Sequence, residues 1–496
     1  MTVRYSINGK KNIESSSVEN LQNVLRKNGC TSVKLGCSKG FCGNCMILLN
    51  DVPIPSCKLS FASIKDDDEI VTLSYFQKAY PEAKDIARGF EKAGINLCGY
   101  CDAGKFFTAY DLIKNGKPSE EEVRNAINGL NTCCTDGETL YNGIMYAYEI
   151  NSTRKAKELN YSKSRKNPLA SPQNEPSQIP DSLKQTVDSE MQAEEENDEN
   201  EKIIFPSSIQ KLFAAIGSCK DFYISNGGTY ENHEEESIDI ENIENIESKA
   251  HKHNTTISLK KIQELKSIER HERYIEIGSA VTLNELLNYP RIPQVLCDSI
   301  KGIGSHAMRN LSTIGGNICI PEHKGSTWAA LLALDAKFEI ASSNEAKKIV
   351  KAYEFKALSQ NEILTKIRIP INNWNISFYK RLGSENFLTG KTAGFCFLAE
   401  TERDHIYNIS IAFSGIGELS HHDEIFRHRK KSFHKRLKYG FISDLIGQKL
   451  PLQERLINSC IANAGKIFSE KFSSSSEPII EQQFKALLKS VLEKLA

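Results

Sequence analysis

Cys37, Cys42, Cys45 and Cys57 stand as C-x4-C-x2-C-x11-C inside GCSKGFCGNCMILLNDVPIPSC. A [2Fe–2S] cluster needs four thiolates, and x4 followed by x2 within one tight loop is the plant-type spacing for it. Gly36, Gly40 and Gly43 interleave the candidate ligands. Glycines let the backbone take positive φ and bring N–H groups close to sulfur, where such bonds tune the potential. Zinc sites favour two separated, short-spaced pairs, and inert buried thiols have no reason to arrive among glycines, so iron–sulfur chemistry is the better reading.

Cys98 and Cys101 form a second constellation in INLCGYC, and Cys133 and Cys134 follow in LNTCCTD after two helical segments. A C-x2-C at one helix start and a cysteine pair after the next helix can converge on a second metal. Adjacent cysteines are awkward as paired ligands, however, and core thiols remain the competing reading. Nine of the fourteen cysteines precede residue 135, and the other five (Cys219, Cys297, Cys319, Cys396, Cys460) are scattered singly.

The elements that must position these thiols follow from periodicity. Val3, Tyr5 and Ile7 alternate as a strand; Ser17 opens a short helix with Val18, Leu21, Val24 and Leu25 inward, closed by Gly29; MILL (46–49) and EIVTL (69–73) read as further strands. Residues 1–76 are thus a small sheet packed on one helix. From about residue 84 the period becomes 3.6: Phe106, Ala109, Tyr110 and Ile113 share one face behind Asp102 as N-cap. A second helix, with Val123, Ala126, Ile127 and Leu130 inward, is announced by the Ser119/Glu122 capping box. Residues 84–150 form a helical unit. Residues 151–201 lose apolar periodicity and end in EEENDENE, which predicts a flexible linker. Residues 202–372 mix strands and helices: DFYI before a glycine turn, YIEIGSAV, and a long apolar helix in WAALLALDA. Residues 374–496 give strands (FYKRL, GFCFLA, NISIAFSGIG) and then helices. The fold class is multidomain α+β.

The bulk composition agrees. The chain has 496 residues, enough for about three to four domains. Its 63 basic and 63 acidic residues cancel, which removes the basic surplus of a nucleic-acid binder. Mean hydropathy is −0.41, no apolar run is long enough to span a membrane, and the N-terminus has no signal-peptide core, so a cytoplasmic protein is expected. The acidic run 231–248, with its interspersed isoleucines, reads as an ordered loop or short helix, and the pair His421/His422 and the basic run 427–438 read as solvated segments.

Two di-glycine turns follow strands: FYISNGGTY (222–230) and MRNLSTIGGNI (308–318). Such turns present several backbone N–H groups on one concave side, a nest suited to a pyrophosphate. An iron–sulfur loop, then C-G-Y-C, two helices, a cysteine pair and these two turns, with LLALDA and LIGQKLP behind, resembles the molybdenum hydroxylases. This is the family of xanthine dehydrogenase and aldehyde oxidase. More narrowly, the chain resembles the iron–sulfur/FAD small subunit of a bacterial enzyme. The resemblance implies a β-grasp ferredoxin domain, an all-α [2Fe–2S] domain, a PCMH-like α+β FAD-binding domain and an α+β C-terminal domain like that of the CO dehydrogenase flavoprotein.

It further implies two [2Fe–2S] clusters, with Cys98, Cys101, Cys133 and Cys134 at the second. FAD would be bound by Ile224, Ser225, Asn226, Gly227, Gly228, Thr229, Tyr230, Thr313, Ile314, Gly315, Gly316 and Asn317, with Leu364 and Lys380 near the flavin. Molybdopterin would sit on a large partner subunit in a hetero-oligomer. Electrons would pass from substrate through the Cys98/Cys101 cluster, then the Cys37 cluster, to FAD and NAD+, with no catalytic residue on this chain. Purine catabolism is the implied setting; an aldehyde or N-heterocycle substrate, or a stand-alone electron carrier or diaphorase, are the alternatives. The chain departs from the family pattern at several positions. Thr132 occupies the usual third-ligand position, and Cys133 stands one residue, about 3.8 Å of backbone, away. Leu97 replaces a glutamine, Asp102-Ala103-Gly104 replaces Thr-Pro-Gly, Ser326 and Tyr230 replace aspartates, and Ile303 replaces an aromatic.

Overall fold

The structure is a computed structural model that describes residues 2–15, 19–130, 134–164, 202–229, 255–320, 325–343, 347–383, 392–414, 425–429, 445–472 and 478–495. Tyr230, Thr132, Cys133, His421, His422, the acidic run 231–248 and residues 165–201 lie outside these, as does most of the basic run.

The N-terminal sheet has the order β2-β1-β5-β3-β4, built from β1 (Thr2–Ile7), β2 (Lys10–Ser15), β3 (Met46–Leu49), β4 (Val52–Pro55) and β5 (Glu69–Val71). β1 and β5 run parallel, so the chain crosses over through the helix α1 (Leu21–Lys27) and the cysteine loop. The helix begins later than its periodicity predicts. Asn20, whose side chain accepts from the Gln22 N–H, caps it, while Ser17 and Val18 fall outside the described residues. Strand β5 is also shorter than EIVTL: Thr72 turns the chain and Leu73 opens α2 (Leu73–Ala79).

Four more helices follow: α3 (Pro81–Lys92), α4 (Asp102–Lys114), α5 (Glu120–Ile127) and α6 (Gly137–Ser164). The Ser119/Glu122 capping box is present in both directions. Asp102, expected as the N-cap of α4, is its first helical residue; Cys101 is the cap, and Asp102 accepts the Gly99 N–H. The linker expectation fails at its start, because α6 continues to Ser164. Asn151 is buried, and Arg154 bonds Asp85, Asn151 and Glu158 with Glu82 alongside, so partners on α3 hold a segment whose own sequence is polar.

From residue 202 onward lie a parallel three-stranded sheet, β6 (Lys202–Ile204), β8 (Thr255–Ser258) and β7 (Tyr223–Ser225), and an antiparallel five-stranded sheet. The latter takes the order β12-β11-β13-β10-β9, from β9 (Ile268–Arg270), β10 (Tyr274–Gly278), β11 (Lys337–Ser342), β12 (Lys347–Lys351) and β13 (Glu362–Pro370). Helices α7 (Ile209–Ser218), α8 (Leu283–Asn288), α9 (Gln294–Lys301), α10 (His306–Leu311), α11 (Ile314–Ile318) and α12 (Trp328–Ala333) accompany them. The apolar helix of WAALLALDA spans six residues only, because Asp335 takes φ 61° and turns the chain into β11. All six are buried, as a helix apolar all round requires, and α12 packs against the C-terminal sheet. That sheet comprises β14 (Ile376–Gly383), β15 (Thr392–Glu402), β16 (His405–Ser414) and β17 (Ile425–Arg429) in sequential antiparallel order, backed by α13 (Glu454–Phe472) and α14 (Pro478–Glu493). No helix among the described residues is long and apolar enough to cross a membrane.

Candidate functional site

The loop between α1 and β3 carries three of the first four thiols, and the short 3-10 turn after β4 brings Cys57 to them. Cys37 pairs with Cys42 and Cys45 with Cys57 by side-chain hydrogen bonds. No three of these thiols lie mutually within 4.8 Å. Two pairs of thiols is an arrangement that a two-iron cluster can take. The main chain turns toward the sulfur: the N–H groups of Lys39, Phe41 and Cys42 donate to Cys37 Sγ at 3.4, 3.2 and 3.4 Å. Gly40 and Gly43 adopt φ of 80° and 73° to allow it. A Cβ on Gly36 would stand 2.6 Å from Cys42 Sγ. The Cys42 thiol and these N–H groups pull Cys37 well below the usual thiol range, to about 5, against the opposing effect of burial. Cys45 is held low by Cys57, whose own thiol is pushed up. Ligation needs thiolates, and in each pair one thiol, Cys37 or Cys45, is favoured as thiolate while its partner, Cys42 or Cys57, is pushed up and keeps the proton.

The start of α4 positions the second group. Cys98, Cys101 and Cys134 bring their sulfurs within 4.8 Å of one another. Cys101 is buried and burial raises its thiol to about 11; Cys98 and Cys134 are exposed, beside exposed Leu97 and Tyr100. Sequence reasoning missed Lys105, whose Nζ donates to Cys134 Sγ at 3.3 Å. Its signal was a charged residue inside the apolar face of α4, next to Phe106. Thr135 and then Lys105 hold the Cys134 thiol below its ordinary value.

The two thiol groups touch. A Cβ on Gly43 would lie 2.9 Å from Gly104 Cα, so the ligand loop and α4 meet backbone to backbone through two glycines.

The glycine turns also converge. Gly227 sits so close to α10 that its Cβ would lie 2.2 Å from Leu311 O, and Ser312 Oγ donates to Thr229 Oγ1 at 3.0 Å. The second turn starts immediately after, with Thr313 capping α11 through the Gly316 N–H and Gly315 N–H donating to Ser279 O. Ile224 and Ser225 end β7, in parallel register with β8. Gly228 takes φ 64°, and a Cβ there would be 3.4 Å from Lys58 O, next to Cys57. The first glycine turn therefore abuts both α10 and the first thiol group, while the second di-glycine lies inside α11 with the Gly315 and Gly316 N–H groups donated to Ser279 O and Thr313 Oγ1. Asn317 Oδ1 accepts from the N–H and Oγ1 of Thr327, beside Ser326, whose carbonyl takes the Tyr379 hydroxyl at 2.9 Å. Lys380 follows on β14 and is solvent-exposed, whereas Leu364 is buried in the core of β13 opposite Ile340.

Helix α10 ties these parts together. Arg309 donates to Asn125 O on α5 at 2.8 Å, Asn310 to Pro53 O on β4 at 2.9 Å, and His306 pairs with Asp111 on α4. Met308 lies against Gly40 of the ligand loop. Arg-Asn ahead of the second turn thus has a local function: each residue reaches a different neighbouring unit.

Comparison with known proteins bears on the second thiol group and on the stretch that holds Thr313–Asn317. A family model for a [2Fe-2S] binding domain matches residues 72–148, and one for the FAD binding domain in molybdopterin dehydrogenase matches residues 235–372. The chain is 34% identical over 154 residues to the nicotinate dehydrogenase small FeS subunit of Eubacterium barkeri, covering 30% of this chain and 96% of that one. It is 30% identical over 152 residues to the xanthine dehydrogenase iron-sulfur-binding subunit of Escherichia coli O157:H7, covering 29% and 92%. Over 476 residues it is 23% identical to aldehyde oxidase 2 of Macaca fascicularis, covering 83% of this chain and 34% of that protein, so it spans about a third of that relative.

Proposed function

This chain belongs to the molybdenum hydroxylase family, as an iron–sulfur and FAD-binding oxidoreductase subunit, and from that premise we propose that it carries electrons between a molybdopterin-binding partner subunit and NAD+. Cys37, Cys42, Cys45 and Cys57 would hold one [2Fe–2S] cluster, and Cys98, Cys101, Cys134 and Cys133 the second. The stretches Ile224–Tyr230 and Thr313–Asn317 would hold FAD, with Leu364 and Lys380 beside it. When bound, such groups supply single-electron carriage and exchange between one-electron and two-electron chemistry, which suits an oxidised substrate at one end and a hydride acceptor at the other.

The chain's own residues set spacing and surroundings. Gly43 against Gly104 and Gly228 against Lys58 place the second thiol group, the first thiol group and the glycine cradle in one contiguous row, and that row is the observation that carries the reading. Met308 of α10 packs directly against Gly40 of the loop that carries the first group. The main-chain N–H groups around Cys37 stabilise negative charge on sulfur.

The substrate of the assembly is proposed as a purine such as xanthine. A second reading, a pyridine-type N-heterocycle, is supported by the name of the 34% identical relative. Both substrates would be oxidised on the partner, so the chain's function is common to them. The test is co-expression with the molybdopterin subunit, metal analysis, and assay of xanthine and nicotinate with NAD+. Molybdenum with about four irons and one FAD per chain, and substrate-dependent NADH formation, are the expected results. A complex without molybdenum that still reduces dyes from NADH would sink the hydroxylase reading and leave a diaphorase.

A further inference from the structure

Lys105 lies in the first turn of α4, four residues after Cys101, and its side chain has no solvent exposure. Its neighbours along the helix, Ala103, Phe106, Phe107 and Ala109, are all buried and apolar. An apolar side chain would pack there at lower cost, since lysine is almost never fully buried unless paired. Its nearest carboxylate oxygen is Asp102 Oδ1 at 3.8 Å, beyond hydrogen-bond distance, and that oxygen makes no hydrogen bond among the described residues. The other Asp102 oxygen is committed to the Gly99 N–H. The closest partner of the ammonium is sulfur, Cys134 Sγ at 3.3 Å. An ammonium withdrawn from water requires opposite charge nearby, and besides the Asp102 carboxylate at 3.8 Å the group at contact distance is Cys134 Sγ, whose thiol is held below its ordinary value.

We propose that Lys105 is a positioning residue of the second iron–sulfur site, a fixed counter-charge that draws the Cys98, Cys101 and Cys134 thiolates together and raises the potential at which the site accepts an electron. The proposal rests on the two-cluster reading above. Uptake of one electron adds one negative charge to the site, with no bond made or broken and no proton moved. A cation held a few ångströms away in a water-poor setting favours the more negative state, and a hydrogen bond to a ligand sulfur acts in the same direction. Arginine at this position would keep the charge; methionine would keep the stem and discard it.

The experiment is a dithionite redox titration of the full chain followed by EPR, with iron counted in each sample, for the unsubstituted protein, Lys105→Met and Lys105→Arg. In Lys105→Met the second cluster's midpoint falls by at least a tenfold change in its one-electron equilibrium, 59 mV, while the first cluster's stays in place. Lys105→Arg stays close to the unsubstituted value. Loss of the second signal in Lys105→Met with retention in Lys105→Arg also supports a counter-charge. An unshifted midpoint in Lys105→Met, or loss of the signal in both variants, overturns the assignment. About two irons per unsubstituted chain would instead defeat the two-cluster reading, whereas about four irons with an unshifted midpoint defeats the role of Lys105 alone.

Discussion

Replacing Arg309 by methionine should loosen the flavin-binding part from the helical iron–sulfur part by a calculable amount. The guanidinium is 1% exposed, and no carboxylate pairs with it among the described residues. Burial pulls its pKa down to about 10, which leaves it charged at neutral pH. Its charge is met by carbonyls: Lys301 O, Ile303 O and Gly304 O at 3.3, 3.2 and 2.9 Å from Nη1, and Asn125 O at 2.8 Å from Nη2. The first three close the C-terminus of α9 and the last lies in the final turn of α5, so two negative helix ends share one cation. Each charge-assisted bond contributes about 1.5–3 kcal/mol, but bonds to one head group do not add, and the desolvation of the charge is recovered on removal. A net loss of about 3–5 kcal/mol is expected for Arg309→Met, and roughly half that for Arg309→Lys, which keeps charge without the fork. Amide exchange is the assay that localises the effect. Exchange in α5 and at 301–304 should accelerate by about 100-fold or more, at 1.4 kcal/mol per decade, while β15 and β16 stay protected. A change below about 1 kcal/mol would show that the carbonyl contacts only offset desolvation, and the clamp argument would be wrong.

Other consequences can be checked separately. Gly227→Ala places a Cβ 2.2 Å from Leu311 O, a backbone atom that cannot rotate away; overpacking of about 1–3 kcal/mol predicts FAD bound about 5- to 150-fold more weakly, with the iron content retained. Stoichiometric flavin at unchanged affinity would refute the cradle. Asp111 titrates below its ordinary 3.8: burial opposes this, but His306 and Lys114 outweigh burial. Because the folded pKa is depressed, the contribution is present above 3.8 and disappears as pH falls through the lower folded value. Asp111→Asn should therefore lower the urea midpoint at pH 6, with a gap to the parent that narrows as pH falls below 3.8. A gap that does not narrow below 3.8 would point to packing instead.

What could be read in the sequence and what could not divide along one physical line. The convergence of Cys37, Cys42 and Cys45 was legible because their x4 and x2 spacings keep them within a single loop, and Gly36, Gly40 and Gly43 lie in that same loop. The Ser119/Glu122 capping box was legible for the same reason: both partners lie three residues apart. The start of α1 was misplaced because Ser17 and Asn20 are both good caps, and only the docking of Leu21 against Leu59 O selects the second. The extension of α6 to Ser164 was hidden because Arg154 finds Asp85 on another helix.

Arg309 and Lys105 are the extreme cases. A buried cation is an error in a sequence pattern until something anionic is brought to it, and here the nearest partners are not side-chain carboxylates: Asp102 stands 3.8 Å from Lys105, farther than its sulfur partner. Two helix C-termini meet at Arg309, and a thiol group meets Lys105. Neither partner has a one-residue signature, since a carbonyl belongs to every residue and Cys134 lies a helix away from Lys105. The cost of dehydrating each head group nevertheless has to be offset, so both lysine and arginine mark places where the assembled chain concentrates negative charge. In this chain those places are the second thiol group, where Lys105 meets Cys134, and the contact of α10 with α5 and the end of α9, where Arg309 meets four carbonyls. The charges that look misplaced along α4 and α10 are therefore accounted for by contacts that form only when the helices are assembled.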